Sequence, residues 1–147
     1  MNRGAAMSLG FLQLTSMIKI LLLITLQGLM HAIECLHDYH VIKGADPRER
    51  DHNEMWHVWD AVVWVMVHAA IAVAAGNGWL FFTGLAWRWL ELQAVLNKLR
   101  GKEWTYLGSG FVDTITKRYL PGWWSLGVKV GVVLLFIYLT ISHEMDL

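Results

Sequence analysis

Two long apolar runs, residues 56–75 and 79–99, stand back to back around Gly76-Asn77-Gly78. The first is apolar nearly all round, so as a helix it is buried or lipid-facing rather than amphipathic on a protein surface. Its valines favour strand, but twenty residues far exceed a normal strand length. Glycine accepts the left-handed conformation that ends a helix, and a three-residue turn sends the second run back antiparallel. The pattern therefore predicts a central helical hairpin. Its second arm carries a polar line, Arg88, Glu91, Gln93 and Asn97, ending in Arg100-Gly101.

The flanking segments pack against that pair or hang off it. A basic start and an apolar run near the N-terminus imitate a signal peptide. His31 and Glu34 then follow with no small-x-small cleavage site, so residues 9–36 read as a retained first helix. Residues 36–54 form a hydrophilic connector, with Gly44-Ala45-Asp46-Pro47 as a turn and Asp51, His52 and Asn53 as N-cap candidates for the next helix. Residues 99–123 are a second polar excursion, in which 112–119 predicts two amphipathic turns lying on a membrane surface. Pro121-Gly122 breaks it, and residues 123–143 form the last helix, with Gly127 and Gly131 at a spacing that permits close helix contact.

Composition moves this picture into a membrane. Apolar residues make up 56% of the chain and charged ones only 16%, against roughly 45–50% and 25% in soluble domains. Eight of nine tryptophans (Trp56, Trp59, Trp79, Trp87, Trp89, Trp104, Trp123, Trp124) fall at or near the ends of apolar runs, where such rings meet a membrane–water boundary. Each run reaches spanning length if Lys19, Asp60, Arg88 and Lys129 are allowed inside, the lysines snorkelling toward the interface. The expected architecture is an all-α integral membrane protein of four helices, about 9–36, 56–75, 79–99 and 123–143, around the central hairpin. A three-span version, with 79–99 dipping in or lying flat, and a water-soluble bundle are the competing readings. With four spans, the lysines and arginines gather on the two large loops, which places those loops in the cytoplasm and both termini outside. Twelve Lys/Arg balance twelve Asp/Glu, so no basic excess points to nucleic acid. The lone Cys35 makes no intramolecular disulfide.

Candidate chemistry is sparse. Arg88 and Glu91 are i,i+3 neighbours, and Asp60 lies on the arm that the turn brings alongside, so Arg88 is expected to be a structural anchor paired with one of them. Glu34 and His37 make one ExxH spacing, and with His40, His52 and His57 they cluster near one end of the first two helices. A di-metal carboxylate site needs two such motifs and two further glutamates, so solvated interfacial histidines are the preferred reading and a metal site at Glu34, His37, His40, His52 and His57 the alternative. His31 and His68 sit within the first two spans. With the first helix ending at residue 36 they lie at different depths, which argues against shared haem ligation and for hydrogen-bonded packing. Nucleophile triads, phosphate loops and HExxH are missing from the sequence, and no cofactor is expected.

Arg88-Trp89, Asn97, Arg100-Gly101, Trp104, Tyr106, Gly108 and Asp113 follow one another over about 26 residues. This pattern resembles a group of small membrane proteins encoded by phages and prophages of Bacteroidetes-type bacteria; Gln93 departs from it, where the group often has an acidic residue. The resemblance implies a bacterial inner membrane or virion membrane as the setting, and no named activity. The expected function is that of a small polytopic membrane protein, non-enzymatic, acting by self-association or contact with a membrane partner, in one version as a holin-like lesion former. The alternative is a membrane redox or metal-binding protein using the histidine cluster.

Overall fold

The computed structural model describes residues 3–44, 53–107 and 111–145, the side chains of 3–13, 41–44, 53–58 and 111–113 excepted. The chain forms helices α1 (Arg3–Gly44), α2 (Asn53–Ala75), α3 (Trp79–Leu99), α4 (Phe111–Tyr119) and α5 (Trp123–Met145), with no strand among the described residues. Among the described residues two helices are long and apolar enough to cross a membrane, over Leu14–His40 and Trp123–Met145, and α2 contains a shorter apolar helix, Trp59–Ala75.

α1 runs eight residues past the expected end at Leu36. His37, Asp38, Tyr39 and His40 are polar, but none breaks a helix; the strong breakers, Gly44 and Pro47, come only afterwards. α2 begins at Asn53, one of the expected cap positions, while Asp51 and His52 lie outside the described residues. The amphipathic turns expected at 112–119 are the helix α4.

α3 is the hub. It packs closely against α1, α2 and α5, and α1 packs also on α5. Contacts fix the directions: Gln27 and Glu34 of α1 meet Leu80 and Arg88, so α1 runs parallel to α3. Ser125 and Thr140 of α5 meet Gln93 and Thr83, so α5 runs antiparallel to it, as does α2. The apolar core lies toward the turn, where Ile20, Ile24, Ala72 and Leu80 are buried together, flanked by Leu23, Phe81 and Ile137.

The turn closes as the hairpin pattern predicts. The Asn77 amide donates to the Ala72 carbonyl and the Gly76 amide to that of Val73, both at 3.1 Å, a Schellman arrangement with Gly76 at φ +72°. Asn77 is fully buried. Its Nδ2 donates to the Thr140 carbonyl and to Glu144 Oε1, both at 3.0 Å, and its Oδ1 accepts the Trp79 amide at 3.0 Å. The end of α5 is thus pinned to the turn by one side chain.

The two glycines of the turn differ, because Gly78 has φ −63° and open space where a Cβ would stand. Gly76→Val forces a β-branched residue into the left-handed region and is expected to destabilise the fold by about 1–2 kcal/mol. Gly78→Val keeps an allowed φ and is expected to unfold close to the parent. Denaturation of the two variants in detergent micelles checks this contrast; equal stability of both removes the assignment of Gly76 as the positive-φ residue.

Candidate functional site

Arg88 sits midway along α3, and its aliphatic stem leaves the guanidinium facing both neighbouring helices. Nε donates to Glu34 Oε1 and Oε2 of α1 at 3.1 and 3.2 Å. Nη2 donates to Glu34 Oε1 and to Asp60 Oδ2 of α2. One cation therefore bridges carboxylates on two helices. The charged side chains are poorly exposed, Glu34 at 6%, Arg88 at 16% and Asp60 at 19%. Charges so poorly exposed are tolerated when they are paired and hydrogen-bonded, as Glu34 and Asp60 are to Arg88.

The same Glu34 anchors a second chain of contacts. Its Oε2 lies 3.1 Å from His31 Nδ1, His31 Nε2 lies 3.1 Å from His68 Nε2, and His68 Nδ1 lies 3.1 Å from Gln27 Nε2. Gln27 Nε2 also donates to the Leu80 carbonyl at 3.2 Å. That carbonyl only accepts, so the amide nitrogen, not the amide oxygen, must face it. The remaining N–H then points at His68 Nδ1, which must accept. A neutral His68 consequently carries its proton on Nε2 and donates to His31 Nε2, leaving His31 protonated on Nδ1 and donating to Glu34. One backbone carbonyl thus sets the hydrogen-bond direction from α3 through two histidines to the carboxylate on Arg88.

Packing around the chain is close. A Cβ on Gly84 would stand 2.2 Å from His68 Nδ1 and 2.7 Å from Gln27 Nε2, so only glycine fits between them. The Trp64 ring lies 4.6 Å from His31 and 5.8 Å from His68, centroid to centroid, with the Arg88 guanidinium 5.9 Å from the same ring. Cys35 is buried beside this region of α1.

The structure rearranges several sequence expectations. Arg88 meets Asp60 as the hairpin predicts, but its second partner is Glu34; Glu91 instead accepts Trp87 Nε1 at 2.7 Å. His31 and His68 do not lie at different depths. Because α1 extends to Gly44, His31 stands thirteen residues from that end, and His68 stands fifteen from the start of α2. They touch, Nε2 to Nε2 at 3.1 Å, as hydrogen-bonded packing requires. Glu34, part of the expected metal alternative, is occupied by Arg88 and His31. His37 is exposed beside Asp38, 3.6 Å from its carboxylate, and His40 is exposed. His52 lies outside the described residues, and so does the side chain of His57. Among the described residues no group of three or more metal-ligating side chains converges.

The rest of the polar line is local architecture. Gln93 accepts from Ser125 Oγ at 3.3 Å and donates to the Trp104 carbonyl at 3.4 Å. Asn97 Nδ2 donates to the Tyr106 carbonyl at 2.6 Å. Arg100 is the exposed C-cap of α3 and Gly101 follows at φ +66°, closing a second Schellman turn through the Lys102 amide on the Asn97 carbonyl at 2.8 Å. The Tyr106 ring is 41% exposed under Lys102, and the Asp113 side chain lies outside the described residues. Lys129 does not snorkel: it is buried, with Nζ 3.4 Å from the Trp89 carbonyl and 4.5 Å from its ring centre.

No family model matches the chain, and neither a curated protein nor a solved structure matches it.

Arg88→Leu leaves Glu34 and Asp60 facing each other without a cation and is expected to cost about 3–5 kcal/mol. Adding Glu34→Gln and Asp60→Asn is expected to recover part of that loss, whereas adding Glu91→Leu is not. Protease resistance of the reconstituted variants reads the difference. Gly84→Ala is expected to cost about 1–3 kcal/mol through overpacking, in the same assay.

Proposed function

We propose that this chain is a non-enzymatic, multi-pass membrane protein of four spans that acts by self-association or by contact with a membrane partner. The observation that carries the membrane reading is the inverted distribution of polarity. Inside the bundle, Gln27, His31, His68, Asn77, Thr83, Ser125 and Thr140 are buried. Outside, Leu22, Ile33, Met66, Val73 and Leu134 are between 61% and 82% exposed. Water would reward the opposite arrangement, whereas lipid solvates apolar side chains and forces polar ones to pair internally.

Four spans are favoured over three because α3 carries buried polar groups matched by groups on α1, α2 and α5 along its whole length. A helix lying flat at the surface would not place Arg88 between Glu34 and Asp60. The aromatic ledge of Trp104, Tyr119, Trp123 and Trp124, all exposed, sits at the end of the bundle where α3 stops and α5 begins, and suits a membrane boundary. α4, with Ile115 exposed and Lys117 and Arg118 in its last turn, is placed along that boundary. On Lys/Arg bias this end is cytoplasmic.

Self-association is supported by α5. Gly127 and Gly131 meet nothing within 4 Å of where a Cβ would stand, so this face of α5 is open for another helix to approach closely. The phage or prophage setting, including a holin-like role, rests on the sequence pattern beginning at Arg88-Trp89. The alternative is a membrane redox or metal protein using the outer histidines; Glu34, one member of that set, is already engaged by Arg88 and His31.

Cysteines introduced at positions 46 and 110 in a Cys35→Ala background are expected to react with an impermeant reagent from the same, cytoplasmic side. Opposite sidedness contradicts four spans. Cross-linking in bilayers is expected to yield oligomers that Gly131→Ile weakens several-fold; a parent chain that stays monomeric contradicts self-association.

A further inference from the structure

We propose that the facing Nε2 atoms of His31 and His68 form a proton-binding site inside the bundle, and that loading it parts the middle of α2 from α1. The inference rests on the hydrogen bonds of the interior and not on self-association.

The 3.1 Å contact between the two Nε2 atoms works only while one proton lies between them. Both ring nitrogens become donors when an imidazole takes up a second proton. If His31 is loaded, its new Nε2–H faces the Nε2–H of His68 and the hydrogen bond becomes a donor–donor contact between cations and dipoles. If His68 is loaded, the new proton sits on Nδ1 and meets the N–H of Gln27, which cannot turn its oxygen inward without setting it against the Leu80 carbonyl. Either way one N–H bond forms, at the expense of an O–H bond of hydronium, and one interhelical hydrogen bond is lost.

The groups facing the pair are Glu34 on its own helix, Asp60 and Trp64 on α2, and Arg88, with Glu91 beyond it, on α3. α5 contributes no charge to the site: its Lys129 and Glu144 are engaged at Trp89 and Asn77. Carboxylates thus outnumber the one guanidinium.

The mechanical consequence follows from where α1 and α2 are joined. Both pack closely on α3 or α5, but not along each other. Near the turn the apolar cluster of Ile20, Ile24, Ala72 and Leu80 holds them. In the middle their link is this chain: Gln27 and His31 on His68, His31 on Trp64, and Glu34 through Arg88 to Asp60. Losing the histidine contact therefore loosens the middle of α2 while the turn remains a pivot.

The test uses the full chain in liposomes, Cys35→Ala, spin-labelled at the exposed positions of Ile33→Cys and Val63→Cys. On going from about pH 8 to about pH 4, the α1–α2 separation is expected to lengthen by about 1–2 Å or more. A control pair, Phe82→Cys with Leu135→Cys across α3 and α5, is expected to stay constant. In His68→Gln, whose amide can either donate to or accept from His31, the lengthening should vanish. A separation that does not change with pH, or one that lengthens equally in His68→Gln, overturns the proposal. Should His68→Gln fail to fold, ¹⁵N-histidine spectra of the parent decide. A second N–H signal appearing with the lengthening supports the site; a pair that keeps one neutral tautomer each throughout overturns it.

Discussion

A guanidinium halfway along an apolar helix cannot stay charged and dry without carboxylates to meet it, and the rest of this bundle is arranged to supply them. Arg88 draws Glu34 from α1 and Asp60 from α2 onto α3, so three helices share one electrostatic junction. Pairing of this kind adds little net stability compared with an apolar core of the same shape. It makes any other register expensive instead, because a shift of α1 by one turn would strand Glu34 and expose the missing half of the pair. The junction therefore specifies which helix lies where.

The histidine chain extends that specification from charge to direction. Gln27 reads the Leu80 carbonyl, and every donor and acceptor after it is fixed in turn up to Glu34. At the turn, Asn77 does the same for α5, and Thr83 with Thr140, 2.8 Å apart, adds a further interhelical hydrogen bond. Apolar contacts fill the space between these points, as where Phe82 and Phe136 stack with centroids 5.5 Å apart. Polar side chains inside and apolar ones outside are the arrangement that the proposed membrane setting favours.

The hairpin was legible because its signals are local: two apolar runs and a glycine that must take positive φ. The Arg88–Asp60 pair was legible for the same reason, since a three-residue turn fixes what lies beside what. Glu34 was not, because its pairing depends on how far α1 runs and how it is rotated, and polar residues such as Asp38 and Tyr39 do not reveal that a helix continues through them. That single error in length also displaced His31 from His68. Gln27, Trp64 and Gly84 carry no signal in one sequence; each matters through a neighbour on another helix. Trp87 looks like an interfacial ring by position, yet it turns inward to Glu91 and presses on Gly28, where a Cβ would stand 3.0 Å from its Nε1. The sequence pattern from Asn97 to Tyr106 has a plain physical content: a helix cap and a loop held to α3 by side-chain amides.

The most direct measurement is of the junction itself, in bilayers, by solid-state NMR dipolar couplings between ¹⁵N-labelled Arg88 and ¹³C-labelled side-chain carboxyls. Strong couplings from the guanidinium to both Glu34 and Asp60, and none of comparable strength to Glu91, are predicted. A guanidinium coupled to Glu91 alone, or to no carboxyl, would contradict the account.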